Sequence, residues 1–338
     1  MYLASLIICT RNPRREYLEM TLTALRKQAL PTERWELVIV DNASDPELKW
    51  DLSWHPHARV VREAEVGLSH ARRRGVEACS GRLIVFVDDD NELAPSYLQD
   101  ACDLFSTDER IAAAGGPSEG VWEDRPSWVE RYQGLLAIGH QTATDPARAQ
   151  DVVGLWGAGL VVRRVALDHV YKAGFHPRFK GRVGHSLVGC EDSEWCLALR
   201  LCGWKLRFDP RLRIRHHMPR SRATETYIRR LAAGFAEGDV VLQEYRDAIQ
   251  LIEQPDLPTA SWRACLVQAL GHYRRCVSWS VRERDEEMRL HARVAVASAR
   301  GTLAGLWAER SMYRAGTEAA CRLGRAGRLR MGSVPCDC

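Results

Sequence analysis

Three consecutive aspartates, Asp88, Asp89 and Asp90, follow the apolar run Leu83-Ile84-Val85-Phe86-Val87 in the stretch FVDDDNELAP. Like charges packed this closely repel, so the cluster calls for either solvent and a helix to cap, or a cation. Divalent ions such as Mg²⁺ and Mn²⁺ take carboxylate oxygens and share phosphate oxygens with a substrate, and Asp88 and Asp90 can both lean into one such site at a strand end. The other reading is a solvated turn in which Asp90 or Asn91 caps the helix after Pro95. Asp41, in VIVDNASD, ends a second apolar run, where it could accept hydrogen bonds from a ribose or a base or simply hold a turn. A third acidic group opens the helical pattern of GCEDSEWCLALRLCGW. There Glu191, Asp192 and Glu194 supply either a general base or charges that complement a helix dipole. His216 and His217 close a strand-like segment, and because strand neighbours face opposite sides, at most one of them can enter a shared site. Trp156 and Trp195 suit a pocket wall or a core.

The elements that must position these residues are legible as alternating patterns. Leu3 to Cys9, Leu37 to Val40 and Leu83 to Val87 read as strands. Helical spacing of Leu18, Leu22 and Leu25 marks a helix around Tyr17 to Ala29, a second runs from about Gly67 to Cys79, and a third opens after Pro95. Continuous apolar strands alternating with helices imply a parallel sheet covered on both faces, with ligands at the carboxyl ends of the strands. Those ends read CTRN, VDNASD and VDDDN, a set of polar termini that suits one cleft. Further along come a strand at Ala112 to Gly116, the Gly-rich stretch Gly154 to Arg164, a helix at Glu191 to Cys202 stopped by Gly203, and mostly helical sequence from Glu225 to about Glu309.

Bulk properties narrow the field. The 338 residues, 46% hydrophobic and 27% charged, suit a folded chain of one large or two smaller domains. Arginine dominates the basic residues throughout, so the modest tilt from Ser261 onward, 14 Arg against 7 Asp plus Glu, is not taken as a nucleic-acid footprint. No run reaches the roughly 18 apolar residues of a membrane span, and the charges of MYLASLIICTRNPRR follow the apolar stretch, the reverse of a secretion signal. With eleven cysteines and no CxxC pair, a cytoplasmic location is expected. CTRNPRREY lacks the GxGxxG of a nicotinamide enzyme, and neither GxxxxGK[ST] nor GxSxG occurs.

Taken in order, SLIICTRNPRREYLEMTLTALRKQ, ELVIVDNASD, EVGLSHARRRGVEACSGRLIVFVDDD, GAGLVVRR with AGFHP, and GCEDSEW resemble the family 2 glycosyltransferases over roughly Leu3 to Gly238. The resemblance implies the GT-A fold, an α/β architecture with a mostly parallel central sheet flanked by helices. A catalytic domain is then expected over 1–240, a helical extension over 241–310 and a loose Arg- and Gly-rich tail over 311–338. It implies metal-dependent, inverting transfer from a nucleotide sugar, expected to be a UDP-sugar, with Mn²⁺ or Mg²⁺ as cofactor. Asp41 would contact the base, with Thr10, Arg11 and Asn12 nearby and Arg72 on the helix facing the donor. Asp88 and Asp89 would belong to the donor site, Asp89 being the more replaceable, and Asp90 with His216 or His217 would hold the metal. Asp192 would be the general base, leaving Trp156, Gly157, Glu191 and Trp195 for the acceptor side. The acidic motif departs from the family in placing Cys190 between the glycine and the glutamate. The acceptor, whether glycan, lipid-linked, natural product or peptide, is unread. The helices beyond about Val240 could shape its binding, pair subunits or touch a membrane surface. Two other readings are a sugar nucleotidyltransferase, which usually carries a Gly-rich basic loop missing here, and a non-catalytic nucleotide-sugar-binding relative.

Overall fold

The computed structural model describes residues 2–141, 144–179, 181 and 187–331. Its centre is an eight-stranded sheet. Strands β1 (Ala4–Thr10), β2 (Trp35–Asn42), β3 (Ala58–Glu63) and β4 (Leu83–Val87) lie parallel in the order β3-β2-β1-β4. A short strand, β5 (Asn91–Leu93), leaves the main sheet directly after the aspartates, and β6 (Ile111–Gly115), β7 (Ser118–Trp122), β8 (Gln150–Asp151), β9 (Val161–Arg163), β10 (Lys205–Phe208) and β11 (Ile214–Met218) follow. The sheet continues as β9-β6-β10-β8, with β9 and β8 antiparallel to their neighbours, while β5, β11 and β7 form a three-stranded sheet beside it. The sheet is thus mostly parallel, as expected. A turn closed by the Leu160 N–H donating to the Gly157 carbonyl (3.2 Å) precedes β9, which runs back between β4 and β6.

Both sheet faces are covered, as continuous apolar strands require. Helices α1 (Arg15–Arg26) and α3 (Tyr97–Thr107) pack their apolar stripes on one face with Leu6, Ile8, Leu37 and Val85. On the other face, Ile7, Val38, Ile84 and Phe86 meet α2 (Leu68–Glu77), α4 (Arg164–Lys172) and α5 (Glu191–Leu201). The strand period of two assigns alternate residues of β1 to opposite cores.

The long helix α6 (Glu225–Glu253) crosses the boundary expected near residue 240 without a break, its Thr224 hydroxyl accepting from the Tyr227 N–H at 3.3 Å. It packs on α5, on α8 (Glu286–Glu309) and on α9 (Tyr313–Arg330), while α7 (Trp262–Arg282) leans on α8. Much of the Arg- and Gly-rich segment expected to be loose is α9, held through Ala320 and Leu323 in the same core as α5, while 332–338 lie outside the described residues. No helix among the described residues is long and apolar enough to cross a membrane.

Candidate functional site

The carboxyl ends of β1 and β4, the amino end of α5 and the loop after β11 converge on one cleft. Its floor is Arg72, on α2 and 4% exposed, with the guanidinium carbon 5.4 Å from the Phe86 ring centre and 5.9 Å from that of Trp195. Burial alone would weaken its charge, but Glu191, Asp192 and Asp88 around it raise its pKa, so it stays protonated. Arg72 Nη1 is buried, lies 3.8 Å from Glu191 Oε1 and makes no hydrogen bond among the described residues.

The three acids of α5 divide. Glu191 turns to Arg72. Asp192 is half-buried, its Oδ2 accepting from the Gly157 N–H at 2.6 Å and its Oδ1 from the Ser193 N–H at 2.7 Å. Glu194 is fully buried and structural. It accepts from the backbone N–H groups of Arg178 (2.9 and 3.1 Å) and Phe179 (3.3 Å) and from the Tyr245 hydroxyl (2.7 Å), which ties the incoming chain and α6 to the start of α5. α6 also approaches the Cys190 side of this start closely. A Cβ on Gly238 would meet Cys190 Sγ at 2.6 Å, so glycine there sets how near α6 sits to the acidic motif.

At the other end of the cleft the aspartates also divide. The Asp88 carbonyl accepts from the Asn91 N–H at 3.1 Å, but its carboxylate has no hydrogen bond or ion pair among the described residues, and burial together with Asp90 pushes its pKa up. Asp89 accepts from the Thr10 hydroxyl, and burial and Asp90 lift it to about 6. Burial also pushes Asp90 up, but His216 and Arg222 outweigh it and hold its carboxyl at about 2. Asp90 Oδ1 lies 3.4 Å from His216 Nε2 and 3.1 Å from Asn91 Nδ2, and its Oδ2 lies 3.0 Å from Arg222 Nη1. Neighbouring His217 faces the other way, with Nε2 2.6 Å from Glu92 Oε1 and its ring stacked on Tyr17 at 5.3 Å.

The remaining expected residues are placed as follows. The Asp41 carboxylate is buried and accepts from the N–H groups of Ser44 and Leu48, both at 3.0 Å, and from Arg62. Despite burial these partners depress its pKa. Asn12, at φ +49°, takes the Asp45 N–H on its side-chain oxygen (2.9 Å), and Arg11 is exposed. Trp156 is half-buried, and its backbone N–H donates to the Gln141 side-chain oxygen. Trp195 is 6% exposed and packs 5.4 Å from Phe86, as core beneath Arg72. Two contributors were not singled out by the sequence. Asn42 clamps the loop into α2, donating to the Glu63 and Glu65 carbonyls and accepting from the Gly67 N–H at 2.8 Å. Arg222, in a short 3₁₀ turn at Arg220–Arg222, carries no signal that separates it from the chain's many other arginines.

Asp88, Asp90 and His216 have the donor chemistry of a Mg²⁺ or Mn²⁺ site, and the unpartnered, charge-crowded Asp88 fits a cation. Among the described residues no three metal-ligating side chains stand together as a ready ligand set, and Arg222 lies beside both Asp90 and His216.

The Glycosyl transferase family 2 description matches residues 5–171, from β1 through α4. The uncharacterized glycosyltransferase YibD of Escherichia coli (strain K12) is 32% identical over 79 residues, covering 21% of this chain and 23% of that protein. The glucosyl-dolichyl phosphate glucuronosyltransferase of Haloferax volcanii is 20% identical over 224 residues, 63% of this chain and 69% of that protein. A solved structure of GalNAc-T7 with UDP, GalNAc and Mn2+ is similar at 19% identity and a TM-score of 0.49, over 73% of this chain and 51% of that one. With β1 through α4, and so the first acidic strand ends, inside the matched residues, the chain belongs to glycosyl transferase family 2.

Proposed function

We propose that the protein transfers a sugar from a nucleotide-sugar donor, a UDP-sugar, to an acceptor with inversion at the anomeric carbon, using a divalent metal and Asp192 as general base. The observation that carries this reading is the position of Arg72. One buried guanidinium feels Asp88 at the strand end and Glu191 and Asp192 at the start of α5, so two acidic groups about a hundred residues apart share one cleft.

Each group then has a task. Transfer passes through an oxocarbenium-like state in which the diphosphate leaves with negative charge while the nucleophile loses a proton. Asp88, Asp90 and His216 would hold the metal, which as a Lewis acid would stabilise the leaving diphosphate. Arg72, buried with no hydrogen bond to its Nη1 and near Asp88, Glu191 and Asp192, adds fixed positive charge without reorganisation. Asp192, fixed by the Gly157 N–H and half-exposed, can take the acceptor proton from the side opposite the diphosphate. Trp156 and Gly157 line the acceptor approach in this reading, and the helices after residue 240 help shape it.

Thermal unfolding with UDP and Mn²⁺ tests the donor half. The melting temperature should rise with the two together, and no rise with either or both would contradict a UDP-dependent site.

A further inference from the structure

Arg222 holds the two atoms that a cation in this cleft would need. Its Nη1 lies 3.0 Å from Asp90 Oδ2 and 3.3 Å from His216 Nε2. His216 Nε2 lies between Arg222 Nη1 and Asp90 Oδ1 (3.3 and 3.4 Å), so the ring nitrogen and the carboxylate that a metal would take are both engaged with the guanidinium and with each other. The third donor, the Asp88 carboxylate, has no hydrogen bond or ion pair among the described residues. Arg222 is the most accessible of the three: its side chain is 29% exposed and extends from a short turn between β11 and α6, whereas the Asp90 and His216 side chains are only 5% and 6% exposed.

Resting on the donor-site reading above, we propose that Arg222 is a positioning residue that competes with the divalent cation for Asp90 and His216, and that it moves to the donor diphosphate once the cation has displaced it. A dication and a guanidinium on one buried carboxylate repel, so the metal alone must expel Arg222 into a cleft that offers it no anion in exchange for Asp90. When the nucleotide arrives with the metal, the diphosphate supplies that anion, and a charge-assisted pair replaces the one lost. Metal and nucleotide then bind cooperatively, and by linkage each strengthens the other by the same factor. The free protein avoids holding a hydrated metal in a donor-less cleft.

Isothermal titration of the full chain with MnCl₂ alone, and with UDP at saturating Mn²⁺, tests this on wild type, Arg222→Gln and Arg222→Lys. Removing the competitor should tighten Mn²⁺ alone about tenfold in Arg222→Gln and weaken UDP about tenfold, an opposite pair of shifts. Arg222→Lys, which keeps the charge but loses the fork, should fall between the two and guards against a folding defect in the glutamine variant. Mn²⁺ affinity unchanged or weaker in Arg222→Gln, with wild type binding UDP and Mn²⁺ normally, would overturn the competition and leave the donor site standing. If wild type binds neither, the donor-site reading itself fails, and this inference with it.

Discussion

The backbone N–H of Gly157 donates to Oδ2 of Asp192 at 2.6 Å, and a Cβ placed on that glycine would come within 2.6 Å of Arg72 Nη2 and 3.2 Å of the same Asp192 oxygen. The glycine is therefore where the proposed base and the buried arginine come closest to each other's backbone support. Gly157→Ala should displace both side-chain ends rather than the sheet, because the crowded atoms are the tips of side chains. Turnover should fall about a hundredfold, the scale of a roughly 1 Å misplacement of reacting groups. The melting temperature should drop by less than about 5 °C. Steady-state kinetics beside a melting curve checks this, and a large loss of stability with unchanged turnover of the folded fraction would contradict it.

Glu194 is expected to be structural, although it shares its helical turn with Asp192. Glu194→Ala strands the Arg178 and Phe179 N–H groups and the Tyr245 hydroxyl in a buried setting. A loss of about 3 kcal/mol in unfolding free energy is expected, read by urea titration. A stable variant would remove the anchor that joins the 178–179 segment and α6 to α5.

Glu244 gives the protein a pH dependence of defined sign. It is buried on α6, and burial lifts its pKa from 4.5 to about 7 although Arg178 pairs with it, with Glu309 and Asp247 adding negative charge nearby. Because the folded value lies above the unfolded one, the folded state keeps this proton longer. The contribution favours folding below about pH 4.5 and is lost as pH rises to about 7. Glu244→Gln should therefore gain in melting temperature relative to wild type between pH 5 and pH 8. An equal difference at both pH values would show that Glu244 is not protonated on folding.

Asp41 separates two roles that the sequence left open. Its carboxylate accepts from Ser44, Leu48 and Arg62 and is buried, so Asp41→Asn should cost about 2 kcal/mol of stability by replacing an acceptor oxygen with a donor. If the variant instead keeps full stability and loses only UDP affinity, the contact to the base is the dominant role.

The parts of the fold and site that were legible share a cause. β1, β2 and β4 are continuous apolar runs because both of their faces are buried, and their polar ends stand out against that background. β3 was missed because its residues are half-buried, so ARVVRE shows neither a continuous run nor a clean alternation. β9 is three residues whose direction comes from its neighbours on both sides, which local pattern does not carry. The α5 acids were visible as a group, but their division among Arg72, Gly157 and the 178–179 backbone depends on partners far away in sequence. Trp195 reads as a pocket aromatic and packs as core, because Phe86 and Arg72 close over it. Arg222 was silent for the plainest reason: in a chain this rich in arginine, residue type alone does not mark the one that reaches Asp90.

Asp192→Asn is the most direct test of the central claim, because asparagine keeps the shape and an acceptor oxygen for the Gly157 N–H, giving up only the Ser193 N–H contact, while removing the basic carboxylate. Transfer to acceptor and UDP affinity at saturating Mn²⁺ should be measured on the same preparation. The account predicts a loss of turnover of about 10³-fold or more with UDP affinity within about twofold of wild type. Turnover near the wild-type value would contradict Asp192 as the base, whatever else the cleft binds.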